Sequence, residues 1–220
     1  MSASAALPVV LIGAGGHAKV VLSTARAAGM RFHGVVAPEL CGAVQNEWLG
    51  LPILGDDTIL QKLDPDQYSV LIGIGSIPGV SVRQEICDKL MGLGFDIPVL
   101  VHPAAWVDSS VTLERGVQIM AGAVVQPGSM IGQNAIINTH ATVDHDCAIG
   151  RQVHIAPGAT VCGGVSIGEG SIVGAGATII HALSLGENTI VGANATVLNS
   201  FHGNAVLVGT PARPVSQKNA

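Results

Sequence analysis

From Val101 onward the chain repeats one step. Counting by sixes gives Val101, Val107, Leu113, Ile119, Val125, Ile131, Ile137, Val143, Ile149, Ile155, Val161, Ile167, Val173, Ile179, Leu185, Val191 and Val197, with no departure from Val, Ile or Leu. Four residues after each falls a mostly small residue, such as Ala105, Ala123, Ser129, Cys147 and Ala195. Gly, Asn and Asp crowd the stretches between, where tight corners need unusual backbone angles. Neither a helical period nor simple strand alternation marks every sixth position so strictly. The step predicts a coil with three short flat sides of six residues each, the aliphatic residue of every side turned inward. Stacked coils would pair as parallel strands about 4.8 Å apart and share one apolar core stabilised mainly by nearest neighbours. No long insertion interrupts the beat.

Residues before this repeat follow another pattern. LPVVLIG (7–13) reads as a buried strand, GAGGHAK opens an amphipathic helix that stops at Gly29, and FHGVVA (32–37) reads as a second strand. GLPILGDD is read as a turn, DDTILQKL as a short helix, YSVLIGIGS as a third buried strand, and VSVRQEICDKLMGLG as a second clear helix. DIPVL then leads into the repeat. This alternation predicts a small α/β domain with a parallel, three-layer sheet, Rossmann-like βαβαβ, over residues 1–98, and the six-residue repeat over 99–220.

Composition narrows the function. Charged residues make up 11% and aromatics 3%, with 29 glycines and a formal net charge of −5. Such a chain is too apolar for disorder, and without a basic run it offers nothing to neutralise phosphates, so no nucleic-acid partner is expected. No apolar run is long enough for a membrane span, and the first residues read as a strand rather than a signal peptide. Cys41, Cys87, Cys147 and Cys162 have no CxxC spacing; unpaired thiols in a reducing cytoplasm are the simplest reading.

Two places carry candidate chemistry. Gly13-Ala14-Gly15-Gly16-His17 lies between a strand and a helix, where backbone N–H groups attract a phosphate. Such turns equally serve close packing, and this one lacks the dinucleotide fingerprint spacing, which argues against NAD. The second place is ATVDHDCAIG (141–150), where Asp144 and Asp146 flank His145. A histidine there is a solvated surface residue, a metal ligand or a base. Zinc would need a third histidine two coils before His140, and that position is Ala104; no metal is expected.

The repeat resembles the left-handed parallel β-helix of the hexapeptide-repeat acyltransferases. Joined to the N-terminal glycine turn, it resembles the PglD-type nucleotide-amino-sugar N-acetyltransferases and the related NeuD-type sugar O-acyltransferases. The family motif, an asparagine-threonine pair followed by a histidine and an acid, stands here as Asn138-Thr139…His145-Asp146-Cys147-Ala148-Ile149-Gly150. The resemblance implies an acetyl-CoA-dependent N-acetyltransferase acting on a nucleotide-linked amino sugar, of the UDP- or GDP-4-amino-4,6-dideoxyhexose type. O-acetylation of a sugar such as a sialic acid is the nearest alternative, and a non-catalytic sugar-nucleotide-binding solenoid the alternative of another class. His145 takes the role of general base, oriented by Asp146, and Asn138 holds the sugar near the reacting amine. The sugar nucleotide lies against Gly15, Gly16, His17 and Gly75, and against Ala37 and Pro38, which stand where relatives often carry acids, with Glu39 next. That departure leaves the nucleotide base open. Acetyl-CoA meets His154, Ala175 and Ala193, with Gly163 and Gly174 giving its arm room, and its phosphates meet Arg213 or Lys218. The family arrangement is a cytoplasmic homotrimer with active sites at the seams. Cys147, at an inward site, is read as packing rather than nucleophile.

Overall fold

Each turn of the repeat is built from backbone that leaves the extended region only at its corners. The computed structural model of the chain describes residues 7–42 and 46–215; Lys218 lies outside them. Seventeen two-residue strands run from Leu100–Val101 to Thr196–Val197, and the second residue of every one is the aliphatic residue of the six-step. They form three parallel faces, in which each strand pairs with the strand 18 residues on, as Thr142 with Thr160 and Val143 with Val161 (160 − 142 = 18). One coil is therefore three sixes. Val206–Val208 and Arg213–Val215 close the first face as an antiparallel pair.

The corners have their own beat. Every sixth residue from Gly116 to Asn194 has a positive φ, between 53° and 74°. Gly, Asn and Asp fill most of these sites because an ordinary side chain there costs about 1–2 kcal/mol; His140, Gln152 and Ala182 are the exceptions. The inward aliphatics and the small residues four places on make one buried cluster, including Ile119, Val143, Ile155, Ala159, Val161 and Ala177, all fully buried. Polar Ser129, Ser171 and Thr189 share it. The Ser129 hydroxyl donates to Asp144 O at 2.7 Å and accepts from Cys147 N at 3.0 Å, so its burial leaves no orphan.

Residues 1–98 and 99–220 form two compact units. In the first, β1 (Val9–Ile12), α1 (Gly16–Ala27), β2 (Phe32–Val36), β3 (Glu47–Trp48), β4 (Leu51–Gly55), β5 (Ser69–Ile72) and α2 (Val82–Gly92) follow in order. The sheet runs β3-β4-β2-β1-β5, parallel except for β3. Its buried core joins Val10 and Ile12 of β1 and Val70 and Ile72 of β5 to Cys87 and Leu90 of α2. By strand alternation Val9, Leu11 and Leu71, also fully buried, face the other side of the sheet. The stretch LPILG, expected as a turn, is instead strand β4, parallel to β2. Its single proline, Pro52, has no N–H to give the ladder and sets its carbonyl beside Gly34 of β2, and two leucines with an isoleucine suit a pleated surface better than a corner. The expected short helix is a 3-10 turn at Asp57–Gln61, capped by Asp56, whose Oδ1 accepts from Thr58 N at 2.9 Å.

Because the core is a stack of near-identical layers, one deletion tests it. Ile155→Ala should lower unfolding free energy by about 2–5 kcal/mol in a denaturant titration, while the outward Ser166→Ala on the third face should stay within about 0.5 kcal/mol.

Candidate active site

His145 occupies the corner between the second and third faces, after inward Val143 and before inward Cys147. Asp146 takes the left-handed position of that corner, with φ 55°. This conformation turns its carboxylate back along the corner, so Oδ2 lies 2.9 Å from His145 Nδ1. A carboxylate only accepts, so Nδ1 carries the proton and Nε2 keeps its lone pair. The Asp144 carboxylate accepts from His145 N at 2.7 Å and fixes the corner's backbone. The two side chains of the pair are 60% and 73% exposed. The hydrogen bond to Asp146 and then the charge of Asp144 hold the imidazole pKa above its ordinary value, against a smaller effect of burial. A neutral, oriented imidazole with a free Nε2 at the coil surface is able to take a proton from a bound nucleophile. Cys147 is not such a nucleophile: it is buried, its thiol contacts Cys162 O at 3.2 Å, and burial pushes its pKa up.

Asn138 belongs to a different edge, between the first and second faces. Its Oδ1 accepts from Thr139 N at 2.8 Å. That leaves Nδ2 as the donor toward His154 Nε2 at 3.0 Å. Exposed Ala175 and Ala193 follow at the same corner in the coils above. So Asn138, His154, Ala175 and Ala193 share one edge, and His145, Asp146 and Asp144 another. Within one chain Asn138 is therefore not beside His145. Its spacing of seven, one side plus one residue, carries it around to the next corner. His181 is on His145's edge two coils up (181 − 145 = 36), about 10 Å away.

The glycine turn of the first unit sits at the ends of β1, β2 and β5, where α/β sheets bind ligands. Gly15 caps α1, and a Cβ on Gly15 or Gly16 would meet nothing within 4 Å. A Cβ on Gly75 would lie 3.3 Å from His17 Cβ, so these positions share one corner. Ala37 and Pro38 divide. Ala37 is fully buried, its N–H donating to Gly55 O and its carbonyl accepting from Leu40 N, both at 3.0 Å, so of the two only Pro38 is open to a ligand. Glu39 reaches the turn instead, its Oε1 accepting from Ala14 N at 3.1 Å.

Residues 8–90 match the family described as PglD N-terminal domain, and residues 110–145 and 146–181 each match the bacterial transferase hexapeptide family of six repeats. Solved structures agree over nearly the whole length. PerB from Caulobacter crescentus, in complex with CoA and GDP-perosamine, is 38% identical, with 97% of this chain and 100% of that chain covered at a TM-score of 0.88. The acetyltransferase domain of PglB from Neisseria gonorrhoeae FA1090, in complex with acetyl coenzyme A, is 36% identical, with 94% and 98% covered at 0.86. WeeI from Acinetobacter baumannii AYE is 25% identical, with 96% and 100% covered at 0.83.

The chain belongs to the PglD-like hexapeptide-repeat acetyltransferases. This acyltransferase therefore carries the left-handed β-helix of its family. Among its described residues no group of three or more His, Cys, Asp or Glu comes together to hold a metal, and no helix is long and apolar enough to cross a membrane. Sequence reasoning missed Arg83. It is buried on α2, and its guanidinium donates to Ile72 O at 3.2 Å and Ile74 O at 2.6 Å, pinning the end of β5 just before Gly75. Burial pushes its pKa down to about 9, which still leaves it charged at neutral pH. The only cue in the sequence was an arginine on the apolar side of a helix. Arg213 donates to Ala212 O at 3.0 Å from an exposed strand.

The His145 arrangement has a direct reading in solution. An NMR titration should find this imidazole protonated to a higher pH than an ordinary histidine. Asp146→Asn should lower its pKa toward the usual 6.5, and Asp144→Asn should lower it less.

Proposed function

We propose that this acyltransferase moves the acetyl group of acetyl-CoA to the amino group of a nucleotide-linked amino sugar, with His145 as general base and no acyl-enzyme. The single observation that carries this reading is the His145–Asp146 pair at the coil surface, in which Nδ1 is held and Nε2 is free. The sugar amine attacks the thioester carbon as Nε2 accepts its proton; the C–S bond breaks, and the thiolate leaves and is protonated. Asp146 stabilises the imidazolium without taking the proton. A GDP- or UDP-linked 4-amino-4,6-dideoxyhexose is the substrate class; the PerB complex with GDP-perosamine supports it. Its nucleotide rests on the glycine turn at Gly15, Gly16 and His17 and beside Gly75 and Pro38, where the α1 N-terminus faces a phosphate. His154, Ala175 and Ala193 take the coenzyme, and Asn138 orients the reactants.

The separation of the two edges supports a homotrimer. One chain presents His145 on one edge and Asn138 with His154 on another, and a neighbouring copy laid alongside supplies the missing edge at each seam. The residues along the coenzyme edge are small enough for a long pantetheine arm. A cytoplasmic setting agrees with the free cysteines.

His145→Ala should fold normally and lose about a hundred- to ten-thousand-fold in kcat, in a thiol-release assay with acetyl-CoA across UDP- and GDP-linked 4-amino sugars. Near-normal turnover would remove His145 from the mechanism, and release only with free sialic acid would favour O-acetylation. Only the neutral imidazole is a base, so kcat/KM should fall as pH drops through the raised His145 pKa. For the seam, light scattering should give a trimer, and mixing His145→Ala with Asn138→Ala subunits should restore part of the activity that each lacks alone. Failure of the mixture to recover any activity would place both residues in one chain's site.

A further inference from the structure

Gly163 stands 18 residues after His145 and lies over it in the next coil (163 − 145 = 18). A Cβ built on Gly163 would lie 2.5 Å from Nε2, 2.6 Å from Cε1 and 3.0 Å from Cδ2 of that imidazole. Carbon atoms in good contact sit about 3.5–4.0 Å apart. The face of the ring at Nε2 and Cε1 thus lies over Gly163, in space any other residue would fill, and the in-plane lone pair of Nε2 points clear of it.

Other solenoid glycines are small for other reasons. At Gly132, Gly150 and Gly174 an added Cβ would strike the backbone of the next coil, so those glycines let the coils stack. At Gly128 and Gly176 the φ is positive, and the space is taken by the Asp146 and Asn194 side chains. Gly163 has neither restriction. Its φ lies outside the left-handed region, and the three atoms nearest its missing Cβ all belong to His145. The backbone would accept alanine there, and the imidazole would have to move to make room. The gap expected to admit the pantetheine arm at this position is occupied by the histidine itself.

We propose that Gly163 is a positioning residue for catalysis, its absent side chain forming the seat that holds the His145 ring against Asp146 with Nε2 outward. This rests on His145 being the base. A methyl group at 163 must displace the ring by about 1 Å to regain a normal contact, which draws Nδ1 away from Asp146. The charged and titratable groups around the ring are Asp144 and Asp146 on its own corner, Cys162 in the coil above and His181 two coils above. The corner below, Gln126 to Ser129, has none. Losing the Asp146 bond therefore removes the main influence that raises the ring's pKa.

The test compares Gly163→Ala with the parent enzyme, reading the His145 ring by NMR titration, its signal assigned by its disappearance in His145→Ala. Gly163→Ala should lower the ring pKa and move the acidic limb of the pH–rate profile down with it. It should reduce kcat about ten- to a hundredfold and leave Tm and the KM for acetyl-CoA unchanged. In an Asp146→Asn background the same substitution should no longer move the ring pKa. Three results would each overturn the proposal: an unchanged ring pKa and kcat, a loss confined to KM for acetyl-CoA, or a fall in Tm matching the loss of activity. If His145→Ala keeps its turnover while Gly163→Ala still lowers the ring pKa, the base assignment fails and the seat stands. If His145→Ala is inactive and Gly163→Ala is neutral in every reading, the seat alone fails.

Discussion

Everything in the second unit follows from inward aliphatic side chains meeting layer on layer, with a register fixed at 18 residues. A slip by one residue would turn every buried Val and Ile outward, so the apolar core forbids it. The same register decides which surface residues meet. Residue n always lies under residue n + 18, and side chains far apart in sequence are neighbours by arithmetic. That is how Asn138 comes within reach of His154's strand, and how His145 comes to lie under Gly163.

On this rigid frame the chemistry is confined to a few exposed atoms. The pair His145–Asp146 is open to water, so its hydrogen bond contributes little to folding. Its value is orientation: one ring nitrogen is committed to the carboxylate and the other is left for a proton. The corner supplies that geometry locally, with the Asp144 carboxylate accepting from the amide of His145 and Asp146 in the left-handed region. A second edge carries His154, its Nε2 3.0 Å from Asn138 Nδ2. The three-sided coil thus sets the Asn138–His154 contact and the His145–Asp146 pair on separate edges of one chain.

The solenoid was fully legible in the sequence, because each layer repeats one demand and seventeen positions answer it alike. The His145–Asp146 pairing was legible as well, since adjacent residues at a corner cannot avoid each other. Legibility failed where a contact depends on three-dimensional closure. GLPILGDD reads as a turn from its proline and two glycines, yet its LPILG pairs with β2, a partner known only after the sheet forms. Ala37 looked open to a ligand by position, but both its backbone groups are taken. Glu39 and Arg83 act on segments 25 and about ten residues away, and no local pattern announces either. Asn138 seemed close to His145 by count, while the three-sided coil sends the two to separate edges.

The left-handed corner at Asp146 limits what can replace the acid. Asparagine and glycine sit comfortably there, whereas most other residues are strained. The mildest exchange, one oxygen for one nitrogen, leaves the architecture intact and removes the imidazole's partner. A chain carrying that exchange would keep its coils and lose only the carboxylate that holds the imidazole, because nothing in the buried stack depends on the charge at this corner.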